Sequence, residues 1–562
     1  MPTPATGVSF FALEAAITLC AVSAALLFPR RISRFPAGIT RRLTGFSANR
    51  PRAVASTVLA ALLLRLAILP VSPPPQPYVH DEFSYLLAAD TFASGRLTNP
   101  TPPLWKHFES FHIEMFPSYM SMYFPLQGLA MAFGKIVAGS PWFGILLTSS
   151  LMCGAICWML QGWLPPQWAL LGGFFAVLRL GTFSYWVDSY YGGAIPALGG
   201  ALVLGAFPRL LRRPALFPGL ALALGMAILA NSRAYEGFLL CAPVTLALLW
   251  SAHRQKRLGH FARAMAAPIA LLLCCALLTG YYNNRVFGSP FKLAYQVNRA
   301  RYAAVPVFLW QKPYAIPQYN HKVMRDFYLG WELRIFTEAR SVSGFLVAIA
   351  QKLGGGVLFF FGLALIPPLF LAGRVFRDRR VRPVLLLLGI FSLGLAGNPW
   401  FMPHYVAPFT AGLYLLLLQG LRHLRFWRGA SGPCGEALLR LTPALCVALF
   451  ALRLAAAPLH LSMGRFPMMW FGSEPVGLPR AKVLRELEAR QGKQLALVRY
   501  APGHVTFDEW VYNAADIDAA KVIWAREMDP ASDRELLVSY PDRQVWLVEP
   551  DADPPRVTRL PR

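Results

Sequence analysis

Apolar stretches of about 15–22 residues recur along most of the chain and are separated by short polar segments. A helix needs roughly 20 apolar residues to cross a bilayer, so the pattern predicts a polytopic α-helical membrane protein with about twelve spans. By residue number, the predicted spans are 8–28, 53–70, 141–160, 166–183, 191–210, 215–231, 236–252, 264–282, 345–372, 383–397, 404–421 and 437–457.

The stretch 119–138 is also apolar, but it is rich in Met, Gly and aromatic residues. It is either a thirteenth span or a helix that lies in the outer interface. Clusters of Arg follow the first, fifth, seventh, ninth and eleventh spans, and they share one side of the membrane only if 119–138 is interfacial. Basic loops mark the cytoplasmic side, which favours the interfacial interpretation and places the long loops 71–140 and 283–344 outside.

The C-terminal part has a different pattern. Of the 54 Lys and Arg residues 40 precede Leu461, but only 13 of the 28 Asp and Glu residues do, so the tail is charge-rich and nearly neutral. Its alternating segments predict an α/β domain, with strands at 495–500, 522–524 and 545–548 and helices at 478–491 and 531–539. We therefore predict three regions: an N-terminal span with a basic cytoplasmic loop (1–52), a transmembrane domain (53–460) and an extracytoplasmic domain (461–562).

Composition excludes several classes of protein. Hydrophobic residues make up 56% of the chain, charged residues 15%, and mean hydropathy is +0.43, which excludes an ordinary soluble protein. The net charge of +26 suggests nucleic acid, but the Arg residues lie in short runs between apolar spans, so membrane lipid is the predicted partner and nucleic acid is not. The eight cysteines have no spacing typical of a disulfide framework or a zinc site.

The acidic residues of the membrane part point to possible chemistry, because most of them fall on the predicted outer side. Asp81 and Glu82 follow a Pro-rich stretch, and Tyr85 lies one helical turn after Asp81. Asp188 is the only charged residue between Arg179 and Arg209 and has Tyr and Trp neighbours. The structural alternatives are a helix start that favours acidic residues and an interfacial polar residue.

Two further outer segments carry polar groups. Arg233 and Glu236 share a very short turn, where Arg233 either pairs with Glu236 or binds a phosphate. His404 and Tyr405 begin a predicted span on the outer face, and a lone His is more often a hydrogen-bonded structural residue. In the tail, the pair Asp508-Glu509 is interpreted as a solvated acidic turn.

These motifs resemble, in order and sidedness, those of the GT-C glycosyltransferases, in the branch of protein O-mannosyltransferases and the lipid A aminoarabinose transferase. The resemblance covers roughly residues 50–420 and rests on four elements. They are Asp81-Glu82-x-x-Tyr85 with the later Ser94-Gly95-Arg96-Leu97, Asp188 before a Leu/Ala/Gly-rich span, Pro403-His404-Tyr405-x-x-Pro408, and the juxtamembrane stretch 116–134. One departure is Glu114-Met-Phe-Pro117, where that branch usually has Lys-Pro-Pro.

The resemblance implies a GT-C fold and a sugar donor linked to polyprenyl phosphate, used on the outer face of a bacterial inner membrane with inversion at the anomeric carbon. It implies that Asp81 is the general base and that Glu82 and Asp188 orient the acceptor or hold a divalent cation, Mg²⁺ or Mn²⁺. Tyr85, Arg233, Glu236, His404 and Tyr405 are the implied substrate-binding residues, and Lys292, Arg299 and Arg301 are further candidates for the phosphate. The acceptor is left open among protein, lipid and glycan.

Two other classes remain as alternatives. A transporter or flippase of a lipid-linked substrate predicts charged residues deep within spans and an internal repeat. Few charges lie deep in the predicted spans, and no repeat is evident. A non-catalytic scaffold would use the tail for binding.

Overall fold

The computed structural model describes residues 8–33, 44–464 and 474–561. Each of the twelve predicted spans coincides with a helix. These helices are α1 (Phe10–Leu27), α3 (Arg50–Ala67), α7 (Trp142–Leu160), α8 (Pro166–Arg179), α9 (Ala194–Arg212), α10 (Leu216–Ala230), α11 (Ala234–Arg254), α12 (Leu258–Phe287), α16 (Val342–Phe360), α18 (Arg382–Ala396), α19 (Thr410–Leu424) and α20 (Cys434–Leu454).

Shorter elements lie between them. The short helices are α2 (Pro29–Ile32), α4 (His80–Ala93), α5 (Trp105–Phe108), α6 (Pro125–Ala138), α13 (Ala294–Tyr302), α14 (Lys322–Arg325), α15 (Leu333–Ala339) and α17 (Ala372–Arg377). The first outer loop also holds a small hairpin of β1 (Ile113–Glu114) and β2 (Met120–Ser121). A π-helical turn spans Asp326–Glu332.

Seven of the described helices are long and apolar enough to cross a membrane: α1, α7, α9, α11, α12, α16 and α20. α10 and α18 are apolar but shorter. Because apolar helices of this length need lipid or a very large core around them, the chain is an integral membrane protein. The number of helices that actually cross the bilayer stays a prediction.

The predicted span 345–372 is interrupted. α16 ends at Phe360, and a 3₁₀ turn at Pro367–Leu371 follows before α17. Gly362 has φ +54°, and a Cβ atom there would lie 2.4 Å from the Arg179 guanidinium. Arg179 itself donates to the carbonyl of Leu358. The helix therefore ends where a buried guanidinium from α8 reaches its last turn, and two prolines prevent its continuation.

The predicted span 404–421 also begins later than its apolar pattern suggests. Two 3₁₀ turns, Pro403–Tyr405 and Ala407–Phe409, precede α19, so His404 and Tyr405 lie in the turn and not in a helix. The second turn packs closely on α9: a Cβ atom at Gly200 would lie 1.7 Å from the carbonyl oxygen of Pro408. Gly200 thus allows the 3₁₀ segment to contact the α9 backbone.

Residues 119–138 form β2 and then α6, not one long helix. α6 has 14 residues, so it is about 21 Å long at 1.5 Å per residue, which is shorter than a hydrocarbon core of about 30 Å. It packs against α4 and α7. Its length agrees with the interfacial interpretation, which remains a prediction.

The C-terminal part contains the predicted small sheet, which has four strands where three were predicted. Its strands are β3 (Lys493–Val498), β4 (Val522–Arg526), β5 (Arg543–Glu549) and β6 (Arg556–Arg559), in the order β4-β3-β5-β6. β3 pairs in parallel with β4 and β5, and β6 is antiparallel. The predicted helices are present as α21 (Leu478–Glu488) and α22 (Pro530–Ser539). Sequence analysis missed β6, whose Arg-Val-Thr-Arg sequence has a single large apolar residue.

One face of this sheet packs on α4. Phe83 and Leu87 of α4 share a buried cluster with Leu495 and Leu497 of β3, and the ring of Tyr512 stacks on Phe83 at 4.2 Å. The interpretation of Asp508-Glu509 as a solvated turn was wrong for Glu509. Its side chain is fully buried in the described structure, where an Arg526 guanidinium nitrogen lies 2.7 Å away. The pair also joins the sheet to the loop 71–140, because Arg526 donates to the carbonyl of Glu109.

Candidate active site

Glu82 fixes the start of α4. The segment Pro73–Pro77 cannot supply amide donors at most of its positions and keeps the chain extended. Glu82 then accepts from the backbone N–H groups of Tyr78 and Val79 at 2.9 and 3.1 Å, and from that of Tyr190 at 2.9 Å. It is only 3% exposed. Three backbone donors therefore hold this carboxylate at the helix start and tie it to the loop before α9.

Asp81 is placed differently, because its side chain is 25% exposed. The hydroxyl of Tyr123 donates to it, and the Nδ1 atom of His112 lies 3.6 Å from its other oxygen. Tyr123 and His112 also contact each other at 3.1 Å. Although burial opposes ionisation, the charge of His112 and hydrogen bonds from His112 and Tyr123 lower the pKa of Asp81 below its usual range. Asp81 is thus an ionised, oriented carboxylate that water or a ligand reaches.

His112 and Tyr123 were not identified from the sequence. Both lie in the loop 71–140, where neither periodicity nor spacing distinguishes them from other polar and aromatic residues. His112 has φ +59°, a conformation that only the folded loop reveals.

His80 separates Asp81 from the C-terminal domain. Its ring stacks on Phe111 with centroids 4.1 Å apart, and its Nε2 atom lies 2.7 Å from the carbonyl oxygen of Thr506. Burial lowers the pKa of His80 to about 3, so the imidazole is neutral at physiological pH. A neutral, stacked imidazole with a backbone partner forms a wall of the site.

Arg233 contacts Tyr405, which interacts electrostatically with Asp81. The Arg233 guanidinium lies over the Tyr405 ring, 4.7 Å from its centroid, and 3.6 Å from a carboxylate oxygen of Glu236. Asp81, Arg233 and Glu236 all lie close enough to the hydroxyl of Tyr405 to interact with it electrostatically. The same three charged residues interact with the hydroxyl of Tyr85. The structure therefore brings five of the predicted site residues into one cluster.

His404 lies at the edge of this cluster. Its Nδ1 atom is 2.9 Å from the hydroxyl of Tyr185, which also accepts from the backbone N–H of His404. His404 is 3% exposed, and Arg233 and Asp81 both interact with it electrostatically. The imidazole is therefore fixed by Tyr185 with Nε2 as its remaining polar atom.

Asp188 has a separate partner. One of its oxygens accepts from Arg65 at 2.6 Å, and Arg65 also donates to the carbonyl of Ser72 and lies over the ring of Trp142. Arg65 is fully buried. Asp188 therefore neutralises a buried guanidinium of α3, and the pair connects the loop before α9 to the end of α3. A direct role of Asp188 in chemistry stays a prediction.

Two of the basic residues of loop 283–344 have partners of their own. Arg299 makes two hydrogen bonds with Glu332, at 2.9 and 3.0 Å, and Arg301 lies over the ring of Phe116. Lys292 is exposed. Arg233 and Asp81 both interact electrostatically with the hydroxyls of Tyr85 and Tyr405.

The described residues do not form a ligand set for the predicted divalent cation. Within residues 8–33, 44–464 and 474–561, no three His, Cys, Asp or Glu side chains converge as metal ligands. Glu82 accepts from three backbone N–H groups and Asp188 from Arg65, so both carboxylates already have hydrogen-bond partners within the protein. The residues in this arrangement do not fit the cation, and no step proposed below passes through one.

Comparison with known proteins gives a likeness in structure alone. No protein-family model matches the chain, and no curated protein matches it. A crystal structure of the Archaeoglobus fulgidus oligosaccharyltransferase in complex with Zn and sulfate is 12% identical, covering 88% of this chain and 67% of its own, with a TM-score of 0.50. The apo structure of ArnT from Cupriavidus metallidurans is 14% identical, covering 88% and 93%, with a TM-score of 0.45.

At such low identity the likeness concerns the fold only. The oligosaccharyltransferase has the GT-C fold, and the match extends over most of this chain. The fold predicted from the order and sidedness of the motifs is therefore confirmed: the chain has the GT-C fold with a small C-terminal sheet domain.

Proposed function

We propose that the chain is a membrane glycosyltransferase that moves a sugar from a polyprenyl-phosphate donor to an acceptor hydroxyl, with Asp81 as the general base. One observation carries the proposal: a partly exposed, ionised carboxylate and a guanidinium both interact with the hydroxyls of Tyr85 and Tyr405, in a protein built of apolar helices. Base and cation are the two groups that displacement of a phosphate by a hydroxyl requires.

The reaction is a displacement at the anomeric carbon. Asp81 accepts the proton of the acceptor hydroxyl as its oxygen bonds to that carbon, and the bond from the carbon to the phosphate oxygen breaks with its electron pair on the phosphate. Attack from the face opposite the phosphate inverts the anomeric configuration. General base catalysis of this kind contributes about 10²–10⁴-fold to the rate.

Arg233 is the proposed partner of the leaving phosphate. Its guanidinium is held over Tyr405 and near Glu236, and its several N–H donors suit phosphate oxygens. His404, which Tyr185 holds in place, and the hydroxyls of Tyr85 and Tyr405 are proposed to orient the sugar. Glu82 and Asp188 are proposed to act indirectly, by holding α4 and the loop before α9.

Two structural neighbours bear on the donor. Structures have been determined of ArnT bound to undecaprenyl phosphate and of the archaeal oligosaccharyltransferase with a dolichol-phosphate. Those ligands belong to those proteins. For this chain the lipid-linked donor, the outer-face location and a bacterial inner membrane are proposals that rest on the motif resemblance and the charge asymmetry.

The test distinguishes a transferase from a flippase. The purified chain is reconstituted in vesicles with radiolabelled polyprenyl-phosphate sugars and an extract of the producing cells' envelope. We expect label in a product that no longer partitions with polyprenyl phosphate. Label that crosses the bilayer while remaining on its lipid would instead establish a flippase and contradict the proposal.

A further inference from the structure

A cavity of about 620 Å³ lies between the C-terminal sheet and the outer loop. Its lining includes residues that follow β3 and β4 at their carboxyl ends, among them Arg499, Ala501 and Glu527, and it includes Lys322 and Asp326 of the outer loop. The carboxyl ends of parallel strands are where ligands bind in open α/β sheets. Nothing in the reaction proposed above uses this cavity.

The charged residues that line the cavity balance one another. Lys322, Arg499 and Arg526 stand against Asp326, Glu527 and Asp529. Lys322 pairs with Asp326, Arg499 with Glu527, and Arg526 with Glu509. Such a lining has no excess of one sign of charge with which to attract an ion.

The same residues still offer many hydrogen-bonding positions. A guanidinium has five N–H donors and a carboxylate about four lone-pair sites, so paired residues keep unused donors and acceptors. The imidazole of His504 also belongs to the lining, and its Nδ1 atom is 2.8 Å from Asp551. The lining therefore offers both donors and acceptors, which suits hydroxyl groups because each hydroxyl both donates and accepts.

The cavity is next to the candidate active site but separated from it. Thr506 lines the cavity, and its carbonyl oxygen is the partner of His80, the residue before Asp81. His80 is stacked on Phe111 and is buried, so its ring lies between this part of the cavity and Asp81. A ligand in the cavity therefore lies near Asp81 without touching it.

We infer that this cavity binds a neutral carbohydrate, the remote end of an extended acceptor whose reacting hydroxyl reaches Asp81. That the bound carbohydrate is the acceptor rests on the proposed function. That the cavity binds a carbohydrate does not depend on it. Binding energy from a remote part of a substrate lowers the barrier at the reacting centre. The acceptor left open by the sequence is thereby assigned to the glycans or glycolipids.

The test places a photoreactive benzophenone amino acid at Ala501, on the rim of the cavity, in the full-length chain within producing cells. The matched control carries it at Val538, which is 72% exposed on α22 and does not line the cavity. After irradiation, adducts are hydrolysed with acid and analysed for monosaccharides. We expect at least tenfold more sugar in the adduct at 501 than at 538.

An adduct at 501 that holds peptide or lipid without sugar would overturn the inference, and so would equal labelling at both positions. Repeating the experiment with Asp81→Asn tests whether sugar still binds at 501 when the proposed base is absent, which separates binding from transfer. If sugar binds at 501 but the parent chain, with Asp81 present, transfers no sugar, the proposed carbohydrate site stands and the proposed transferase function fails. Loss of the adduct at 501 when Met528, another residue of the lining, is replaced by Trp, with Val538→Trp unaffected, is the expected confirmation by occlusion.

Discussion

At the scale of single residues, the environment of Asp81 determines when it acts as a base. Tyr123 donates to one oxygen, and His112 lies 3.6 Å from the other. Both stabilise the ionised form, and the remaining burial opposes it. A carboxylate with a lowered pKa stays ionised to unusually low pH, so transfer should be lost only as the pH falls through that low value.

Replacement of Tyr123 by Phe tests this arrangement. Removing a hydrogen bond to a charged group costs about 1.5–3 kcal/mol, so the acidic limb of the pH–rate profile should move upward by about one pH unit or more. The rate at pH 7 should change much less. An unchanged acidic limb would show that the Tyr123 hydroxyl does not stabilise the ionised carboxylate. Tyr119→Phe is the control, because the Tyr119 hydroxyl bonds to the carbonyl of Asn513 and not to Asp81.

At the scale of elements, two contacts between segments hold the candidate site in place. The pair Arg65–Asp188 connects α3 to the loop before α9, and Gly200 lets the 3₁₀ turn Ala407–Phe409, which follows the turn with His404, pack on α9. Neither contact involves a group that must touch substrate. Their loss is therefore expected to act through position and stability.

Replacement of Asp188 by Asn leaves the Arg65 guanidinium buried without a counter-charge. Breaking a buried ion pair costs about 3–5 kcal/mol, so the variant should unfold at a clearly lower temperature in detergent. The double variant Arg65→Met/Asp188→Leu should recover most of that stability, because no buried charge remains. Transfer by the stable double variant would assign Asp188 to positioning, and a stable but inactive double variant would assign it to chemistry.

Replacement of Gly200 by Ala places a methyl group where the carbonyl oxygen of Pro408 now lies. The 3₁₀ segment must shift, which should raise the KM for the donor by about tenfold, since about 1.4 kcal/mol of lost binding has that effect. Gly259→Ala is the matched control, because nothing lies within 4 Å of its added methyl group. Equal KM values for the two variants would contradict the proposed role of this contact.

At the scale of the whole molecule, the C-terminal domain is part of the site's support. Its sheet covers α4, and Arg526 joins Glu509 to the carbonyl of Glu109. The domain therefore holds the helix that presents Asp81. It also contributes Thr506 to the wall formed by His80.

Replacement of Arg526 by Met leaves Glu509 buried and unpaired, which should cost about 3–5 kcal/mol. We expect faster hydrogen exchange in α4 as well as in the sheet, because the two pack together. The control Arg499→Met breaks an ion pair whose Arg side chain is 50% exposed, and such pairs contribute about 0–1 kcal/mol. Protection of α4 that is unchanged in Arg526→Met would show that the domain does not stabilise this helix.

Hydrophobic periodicity located the helices and most strands because it acts locally, but it missed β6 and the break in the span 345–372, and the GT-C fold itself was implied by the motif resemblance. The twelve apolar stretches and three strands of the tail all correspond to observed elements. Interruptions caused by distant residues were not predictable, as where Arg179 meets the end of α16. Side-chain pairing was not predictable either, because the partners lie far apart in the sequence. Asp188 and Arg65 are 123 positions apart, and Arg526 and Glu109 are 417 positions apart.

The most direct measurement is the rate of sugar transfer by the purified parent chain and by Asp81→Asn, from the polyprenyl-phosphate donor that the parent uses. Asp542→Asn, with its side chain 61% exposed in the C-terminal domain, is the matched control. The account predicts that Asp81→Asn loses about 10²–10⁴-fold in rate while donor binding and the Asp542→Asn rate stay unchanged. Equal rates for Asp81→Asn and the parent would contradict Asp81 as the base.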